Sequence, residues 1–119
     1  MLRKQKKLKN KRLRVSKGVR RHVRGDAEKP RISIFRSNRQ FYCQAIDDEN
    51  GRTLAAVSSL KSEKKEGSRT ERVVVLGQEM AERLKAIGVE RAVFDRNWYR
   101  YHGVVKSFAD AVRKGGIRF

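Results

Sequence analysis

Residues 31–47, RISIFRSNRQFYCQAID, carry the clearest fold signal of the sequence, two strand patterns in direct succession. The first part, Arg31 to Ser37, is rich in β-branched and aromatic residues and predicts a strand. The second part, Gln40 to Asp47, carries apolar side chains at alternate positions and predicts another strand, half-buried. Only Asn38-Arg39 separates the two, so we expect a tight antiparallel hairpin.

The residues that follow extend this hairpin. The dipeptide Asn50-Gly51 is a turn signal, and Thr53 to Ser59 after it predicts a third strand, which completes an antiparallel meander. Lys61 to Gly67 is polar and is expected to be a flexible link.

The second half of the chain alternates helix and strand. Ser68 and Glu71 have capping-box spacing and start a helix that we expect to run to about Ile87, with Gly88 as its stop. A short strand is predicted from Glu90 to Asp95. The apolar stripe of the helix consists of Val73, Leu76, Met80, Leu84 and Ile87.

A last helix is expected from Val104 to Lys114 and should end at Gly115-Gly116, after which Ile117 and Phe119 pack back onto the core. Its predicted buried residues are Val104, Val105, Phe108, Ala109 and Val112.

The element order is therefore βββαβα. A right-handed crossover that returns the fourth strand parallel to the first gives a mixed four-stranded sheet in the order 3-2-1-4. We expect one small α/β domain with two helices over residues 25–119, preceded by a basic N-terminal arm over residues 1–24.

The arm carries much of the charge of the chain. The net charge is +18, and residues 1–24 hold 12 of the 31 Lys and Arg residues but none of the 13 acids. Such density favours a polyanionic partner, and we expect the arm to be disordered in isolation and to become helical once phosphates neutralise its charge. A solvated tail and a transit peptide are the alternatives; the absence of acids fits a transit peptide, but the arm has one Ser and as many Lys as Arg.

Several classes of protein are disfavoured. The sequence has no apolar run long enough for a membrane span or a signal peptide. Cys43 is the single cysteine, which excludes an intrachain disulfide and favours a reducing compartment. The two histidines, His22 and His102, have no zinc-ligand spacing with it, so we expect neither a metal nor a cofactor.

Metal-dependent nucleases share this topology, but the carboxylates needed for two divalent ions are not evident. Asp47 and Asp95 are the only candidates near strand ends. We expect Asp47 to stabilise its turn and Asp95 to pair with a neighbouring basic side chain. Cys43 should be an inert buried thiol. We therefore expect no catalytic residue and no enzymatic activity.

Two segments are suited to binding nucleic acid, since RNA is recognised by cationic, aromatic and hydrogen-bonding groups. One is the turn of the first hairpin. The other is the loop 96–103, RNWYRYHG, with three aromatic residues, two arginines and a histidine. Trp98 is either buried or in contact with RNA, and His102 either caps the last helix or contacts the ligand. We expect an extended loop, in which Tyr99 and Tyr101 point the same way with Arg100 opposite, and in which the two tyrosines either stack on RNA or brace the loop.

The stretches PRISIFRSN (30–38), YCQAIDD (42–48), GRTLA (51–55), VFDR (93–96), YRYHGVVK (99–106), ADA (109–111) and GGIRF (115–119) resemble the bacterial large-subunit ribosomal protein eighteen family. The resemblance covers residues 12–119. Two positions depart from the family pattern: Asn97-Trp98 replaces a usual glycine pair, and Val104 replaces a usual arginine.

This resemblance implies a structural protein that binds 5S rRNA and attaches it to the large-subunit rRNA in the central protuberance, next to large-subunit proteins five and twenty-five. It implies a cytoplasmic ribosome, or an organellar one of bacterial ancestry. A nuclease-like enzyme and a generic nucleoid DNA binder are the alternatives. The expected RNA-binding residues are Lys11, Arg12, Arg14, Lys17, Arg20, Arg21 and Arg24 of the arm, Arg36, Ser37, Asn38 and Arg39 of the hairpin, and Arg96, Tyr99, Tyr101, His102 and Lys106.

Overall fold

A mixed sheet of four strands forms the centre of the protein. The structure is a computed structural model that describes residues 9–15, 17–18, 23–37, 40–59 and 68–119. The strands lie in the order β3-β2-β1-β4, which confirms the predicted order; β2 is antiparallel to both of its neighbours, and β4 is parallel to β1. Their bounds are β1 (Arg31–Arg36), β2 (Phe41–Asp47), β3 (Arg52–Ser58) and β4 (Val93–Asp95).

Three helices accompany the sheet. In the arm, residues 9–15 and 17–18 are helical and are called α1 here; helix is the state expected of the arm on RNA. The predicted helices of the domain are α2 (Arg69–Ala86) and α3 (Val104–Lys114). The predicted flexible link, Lys61 to Gly67, lies outside the described residues.

The hairpin between β1 and β2 is as short as predicted. Arg36 pairs with Phe41, and the Ser37 N–H donates to the Gln40 carbonyl at 2.9 Å. The Gln40 N–H in turn donates to Ser37 Oγ at 3.2 Å, so the two ends of the turn are tied together. The predicted turn residues, Asn38 and Arg39, lie outside the described residues.

Both ends of α2 follow the local signals of the sequence. Ser68 Oγ accepts from the Glu71 N–H at 3.2 Å, and the Glu71 carboxylate accepts from the Ser68 N–H at 3.3 Å, which completes the capping box. At the other end, the Gly88 N–H and the Val89 N–H donate to the carbonyls of Lys85 and Leu84, a Schellman motif with Gly88 at a φ of 81°.

This helix end corrects one prediction. Ile87 was assigned to the apolar stripe, but its side chain is 53% exposed, because the helix has already ended. The Schellman turn brings Val89 into the core instead, where it is 4% exposed. The other four stripe residues are buried.

The core lies between one face of the sheet and the two domain helices. Ile32, Ile34, Cys43 and Ala45 supply the sheet side, and Phe108 is the largest fully buried side chain. Ile117 is buried and Phe119 packs against this cluster, as predicted. Val104 was expected in the core and is only partly buried.

The fourth strand is shorter than predicted, since it begins at Val93 rather than at Glu90. The preceding residues pair with the end of the chain instead: the Ala92 N–H donates to the Arg118 carbonyl, and the Arg118 N–H donates to the Glu90 carbonyl, both at 2.9 Å. Residues 90–92 therefore hold the C-terminal segment in place. Within the part of the chain that is described, no helix is long and apolar enough to cross a membrane.

Candidate nucleic-acid interface

The described basic residues of the arm lie on the protein surface. Lys11, Arg12, Arg14 and Lys17 of α1 are exposed, and so is Arg24. The other two predicted arm contacts, Arg20 and Arg21, lie outside the described residues. The arm meets the domain at Gly25, whose N–H donates to Asp48 Oδ2 at 2.8 Å. A Cβ at this position would lie only 2.2 Å from the Arg31 nitrogen, so the close approach requires glycine.

The loop 96–103 is held by short-range hydrogen bonds. Asp95 Oδ1 accepts from the Asn97 N–H at 2.8 Å, where Asn97 has a φ of 59°, a left-handed conformation that asparagine tolerates. Arg96 donates to the Tyr99 carbonyl at 2.6 Å, and the His102 N–H donates to the Arg100 carbonyl at 2.8 Å. The loop is thus a series of closed turns and not the extended segment assumed from the sequence.

Tyr99 ties this loop to the end of β1. Its hydroxyl accepts from the Arg36 N–H and donates to the Arg36 carbonyl, each at 2.9 Å. Because β4 pairs with β1 only up to Ser33, the hydroxyl takes the place of a neighbouring strand at this free edge. The ring also packs against the core. This geometry supports the bracing interpretation for Tyr99.

Trp98 connects the same loop to the arm. The Arg12 guanidinium carbon lies 4.2 Å from the centroid of the Trp98 ring, which is a cation–π distance. On the loop itself, the rings of Trp98 and Tyr99 are tilted by 33° with centroids 4.2 Å apart. Trp98 is half-buried, so the interpretation of full burial does not describe it, and its contact with RNA stays a prediction.

These contacts enclose an open groove of about 830 Å³ between α1, the end of β1 and the loop. It brings together members of all three predicted binding segments. Sequence reasoning did not select Arg100 as a binding residue, because alternation placed it opposite the tyrosines; the closed turns bring it to the groove. The lining residues are Lys11, Arg12, Val15, Arg36, Ser37, Trp98, Tyr99, Arg100 and His102.

Other predicted residues lie elsewhere. Tyr101 is 40% exposed, packs edge-on against Phe94 and accepts a hydrogen bond from Arg113 at 3.0 Å. The two tyrosines therefore contact different parts of the domain. Lys106 is exposed on α3, and Arg96 braces the loop through the bond to Tyr99 described above.

His102 does not cap α3 with its side chain. The N-cap residue is Gly103, with no side-chain hydrogen bond to the helix, and the His102 side chain is exposed. The capping interpretation is therefore wrong, and the ligand contact of His102 stays a prediction.

A second, smaller cleft of about 390 Å³ lies on the other side of Arg36. Arg69 and Arg72 of the first turns of α2 line it together with Arg36. Sequence reasoning did not select these two residues. These two residues are three positions apart directly after the Ser68 cap, which places them on one face of the helix. This spacing was the sequence pattern from which a basic face at the start of α2 could have been predicted.

The carboxylates considered for catalysis have structural partners. Asp47 accepts hydrogen bonds from the Glu49 N–H and from the backbone and side-chain amides of Asn50, at 2.8 to 3.3 Å. The Asn50 side-chain bond is the main cause of the lowered pKa of Asp47; the Glu49 and Asn50 N–H bonds and Arg52, 3.8 Å away, add to it, and burial opposes it. The prediction that Asp47 stabilises its turn is confirmed.

Asp95 and Asp48 belong to an ionic network around Arg31. The guanidinium donates to Asp95 at 2.8 Å and to Asp48 at 3.0 Å. Burial alone would lower the pKa of Arg31, but the hydrogen bonds and charges of the two aspartates outweigh it and raise that pKa. The predicted pairing of Asp95 with a basic side chain is confirmed.

The remaining candidates for chemistry do not form a site. Among the described residues, no group of three or more His, Cys, Asp or Glu side chains is placed to hold a metal ion. Cys43 is fully buried in the core, and this burial raises the pKa of its thiol, as expected of an inert cysteine.

The chain is similar to known ribosomal proteins over nearly its whole length. The family model for ribosomal L18 of archaea, bacteria, mitochondria and chloroplasts matches residues 4–119, a range that includes every residue of the groove. A relative from Porphyromonas gingivalis, named large ribosomal subunit protein uL18, is 48% identical over 108 residues, which cover 91% of this chain and 94% of the relative.

Two further relatives carry the same printed name. The protein from a Nitratiruptor species is 49% identical over 108 residues, which cover 91% of this chain and 90% of that protein. The protein from Bacteroides thetaiotaomicron is 46% identical over 108 residues, which cover 91% of this chain and 94% of that protein.

Proposed function

This chain belongs to the ribosomal L18 family of structural, non-enzymatic proteins of the large ribosomal subunit, and we propose that it binds 5S rRNA. We further propose that it attaches the 5S rRNA to the large-subunit rRNA. Large-subunit proteins five and twenty-five are its proposed protein neighbours. The ribosome is its location, and we propose a cytoplasmic ribosome of bacterial type.

The groove between α1, β1 and the loop 96–103 is the observation that carries this proposal. Besides Arg12, Trp98 and Tyr99, which contact one another or β1, five basic or hydrogen-bonding side chains of three separate segments converge on it: Lys11, Arg36, Ser37, Arg100 and His102. Cationic groups at such density attract the phosphates of a nucleic-acid backbone and release its counterions. Hydroxyl and imidazole groups can in addition hydrogen-bond the ribose 2′-OH, which distinguishes RNA from DNA.

The other proposed contacts extend this surface. Arg14, Lys17 and Arg24 would follow the RNA backbone along the arm, with Arg12 held on the Trp98 ring. Tyr101 of the loop and Lys106 of α3 lie outside the groove, and Arg96 and Tyr99 brace the loop that lines it. The proposed contacts outside the described residues are Arg20, Arg21, Asn38 and Arg39.

A filter-binding series with 5S rRNA, transfer RNA and duplex DNA tests the proposal. We expect 5S rRNA to bind most tightly, and equal affinity for duplex DNA would instead favour the nucleoid alternative. Incubation of labelled RNA with the protein and Mg²⁺ should protect the RNA stoichiometrically, whereas multiple-turnover cleavage would contradict the assignment.

A matched pair of variants tests the groove itself. Arg100→Ala removes a groove cation, whereas Arg91→Ala removes an exposed arginine that does not line it. We expect Arg100→Ala to reduce the slope of log affinity against log salt by about 0.7–0.9, the value for one phosphate contact. Equal slopes for the two variants would contradict this use of the groove.

A further inference from the structure

A continuous series of contacts runs from the arm to the end of β1. The Arg12 guanidinium lies 4.2 Å from the Trp98 ring, the Trp98 and Tyr99 rings are 4.2 Å apart, and the Tyr99 hydroxyl bonds both backbone groups of Arg36 at 2.9 Å. Trp98 is the member that joins the arm helix to the folded domain.

We propose that Trp98 is a positioning residue, which docks α1 on the domain through Arg12 and so builds both walls of the RNA groove before RNA arrives. Its effect on affinity rests on the proposed function, but the docking itself is a property of the protein alone. The ligand that fits such a groove is the sugar–phosphate backbone of RNA.

The composition of α1 explains why docking needs this contact. Isolated helices shorter than about 12–15 residues are marginal in water, and like charges three or four residues apart destabilise them further. Among the described residues of α1, only Val15 is half-buried, and all the others are exposed. With so little apolar burial among these residues, the contact between Arg12 and the indole is a specific interaction that can hold this part of the helix on the domain.

The same contacts indicate the ligand class. Arg12 and Tyr99 already contact the Trp98 ring, and the Tyr99 hydroxyl is engaged by β1. Apart from Val15, the groups that remain in the groove are cations and hydrogen-bonding side chains, which match phosphates and riboses better than an unpaired base. A helix that is docked beforehand also spares the complex the entropy loss of ordering the arm on RNA.

The docking can be measured in the protein without RNA, because Trp98 is the only tryptophan of the chain and its fluorescence reports on this site alone. We expect Arg12→Ala to raise the acrylamide quenching constant of Trp98 and to shift its emission to longer wavelength, since the indole loses its cover. Arg14→Ala is the matched control, because it removes the same charge from the same helix. It should leave quenching and emission as in the wild type.

Alanine is the best helix former, so a loss of intrinsic helix propensity cannot explain the effect of Arg12→Ala. Unchanged quenching and emission in Arg12→Ala would overturn the docking. This outcome is independent of RNA: a failure of every variant to bind 5S rRNA would contradict the proposed function and leave the fluorescence result intact.

The consequence for RNA binding is tested by a double-mutant cycle with Arg12→Ala and Trp98→Leu, with circular dichroism and thermal melting to verify that each variant is folded. A cation–π contact of this kind corresponds to about a two- to thirty-fold change in affinity. We expect each single variant to weaken 5S rRNA binding within this range, and the double variant to be little weaker than either.

Trp98→Tyr, which keeps a ring for the guanidinium, should restore most of the affinity lost in Trp98→Leu. If Arg12 and Trp98 acted separately, one on a phosphate and the other on a base, their effects would multiply in the double variant. A multiplicative result, or no rescue by Trp98→Tyr, would overturn the positioning role.

Discussion

Replacing Tyr99 by phenylalanine removes a single oxygen atom and, with it, both hydrogen bonds between the loop 96–103 and β1. The Tyr99 hydroxyl is the partner of the Arg36 N–H and of the Arg36 carbonyl, each at 2.9 Å. The ring that packs against the core is retained, so Tyr99→Phe isolates the contribution of the hydroxyl from that of apolar burial.

The magnitude follows from the two bonds that are lost. A hydrogen bond in a folded protein makes a net contribution of about 0.5–1.5 kcal/mol, and both bonds here are only partly buried, so water can replace them in part. We expect the free energy of unfolding to fall by about 1–2 kcal/mol. For a domain of this size, each kcal/mol lowers the melting temperature by about 4–8 °C.

Thermal unfolding followed by circular dichroism measures the change. Tyr101→Phe is the control, because the Tyr101 hydroxyl bonds only an exposed arginine, Arg113, at 3.0 Å; its free energy of unfolding should change by less than about 0.5 kcal/mol. If Tyr99 instead acted by stacking on RNA, Tyr99→Phe would keep the ring and melt like the wild type. A wild-type melting temperature for Tyr99→Phe would therefore refute the bracing role.

Further predictions concern the arm, the metal question, acid stability and the surface beyond the groove. Deletion of residues 1–24 should leave the melting temperature of the domain nearly unchanged while it weakens 5S rRNA binding and flattens its salt dependence; an unchanged salt slope would show that the arm is passive. Treatment of the free protein with a chelator should leave its circular dichroism spectrum intact, and loss of structure would contradict the expected absence of a structural metal. The hydrogen bond from the Asn50 side chain is the main cause of the lowered pKa of Asp47 in the folded state. The stability that Asp47 contributes is therefore present above its ordinary pKa of about 3.9, and it is lost as the pH falls through the lower pKa of the folded state. Thermal melts across this acid range should accordingly be flatter for Asp47→Asn, and parallel profiles would contradict the assignment. Tyr101→Ala should weaken 5S rRNA binding by about five- to a hundred-fold if its exposed ring stacks on RNA, and wild-type affinity in a filter-binding assay would exclude that contact.

Helix ends and strand faces were predictable because they depend on residues that are close in the sequence. The capping box of Ser68 and Glu71 joins groups three residues apart, and the alternation in β2 needs only the pleat of a single strand. The exception is Ile87, which continues the stripe of α2 but lies past its end. Periodicity alone cannot show that the helix ends before Ile87, or that the Schellman turn buries the side chain of Val89 in place of that of Ile87.

The candidate site was predictable as a set of residues but not as an arrangement. Charge density selected the arm, and the mixture of aromatic and basic residues selected the loop 96–103. Alternation then failed in that loop, because an extended segment was assumed where hydrogen bonds from Asp95 and Arg96 close successive turns. Arg100 was missed for this reason, and the two tyrosines were assigned to one side although they contact different parts of the domain.

The order of the elements, the sheet order and a polyanionic partner could be inferred from the sequence alone, since propensity, periodicity, turn signals and net charge are properties of the chain, while the resemblance to the family rests on sequence motifs. The contacts of Tyr99 with β1, of Arg12 with Trp98 and of Arg31 with Asp48 and Asp95 became visible only in the folded structure. The physical reason is distance along the chain: Tyr99 bonds a residue 63 positions away, and Arg31 bonds one 64 positions away. Such pairs meet only after the sheet has brought β1 beside β4.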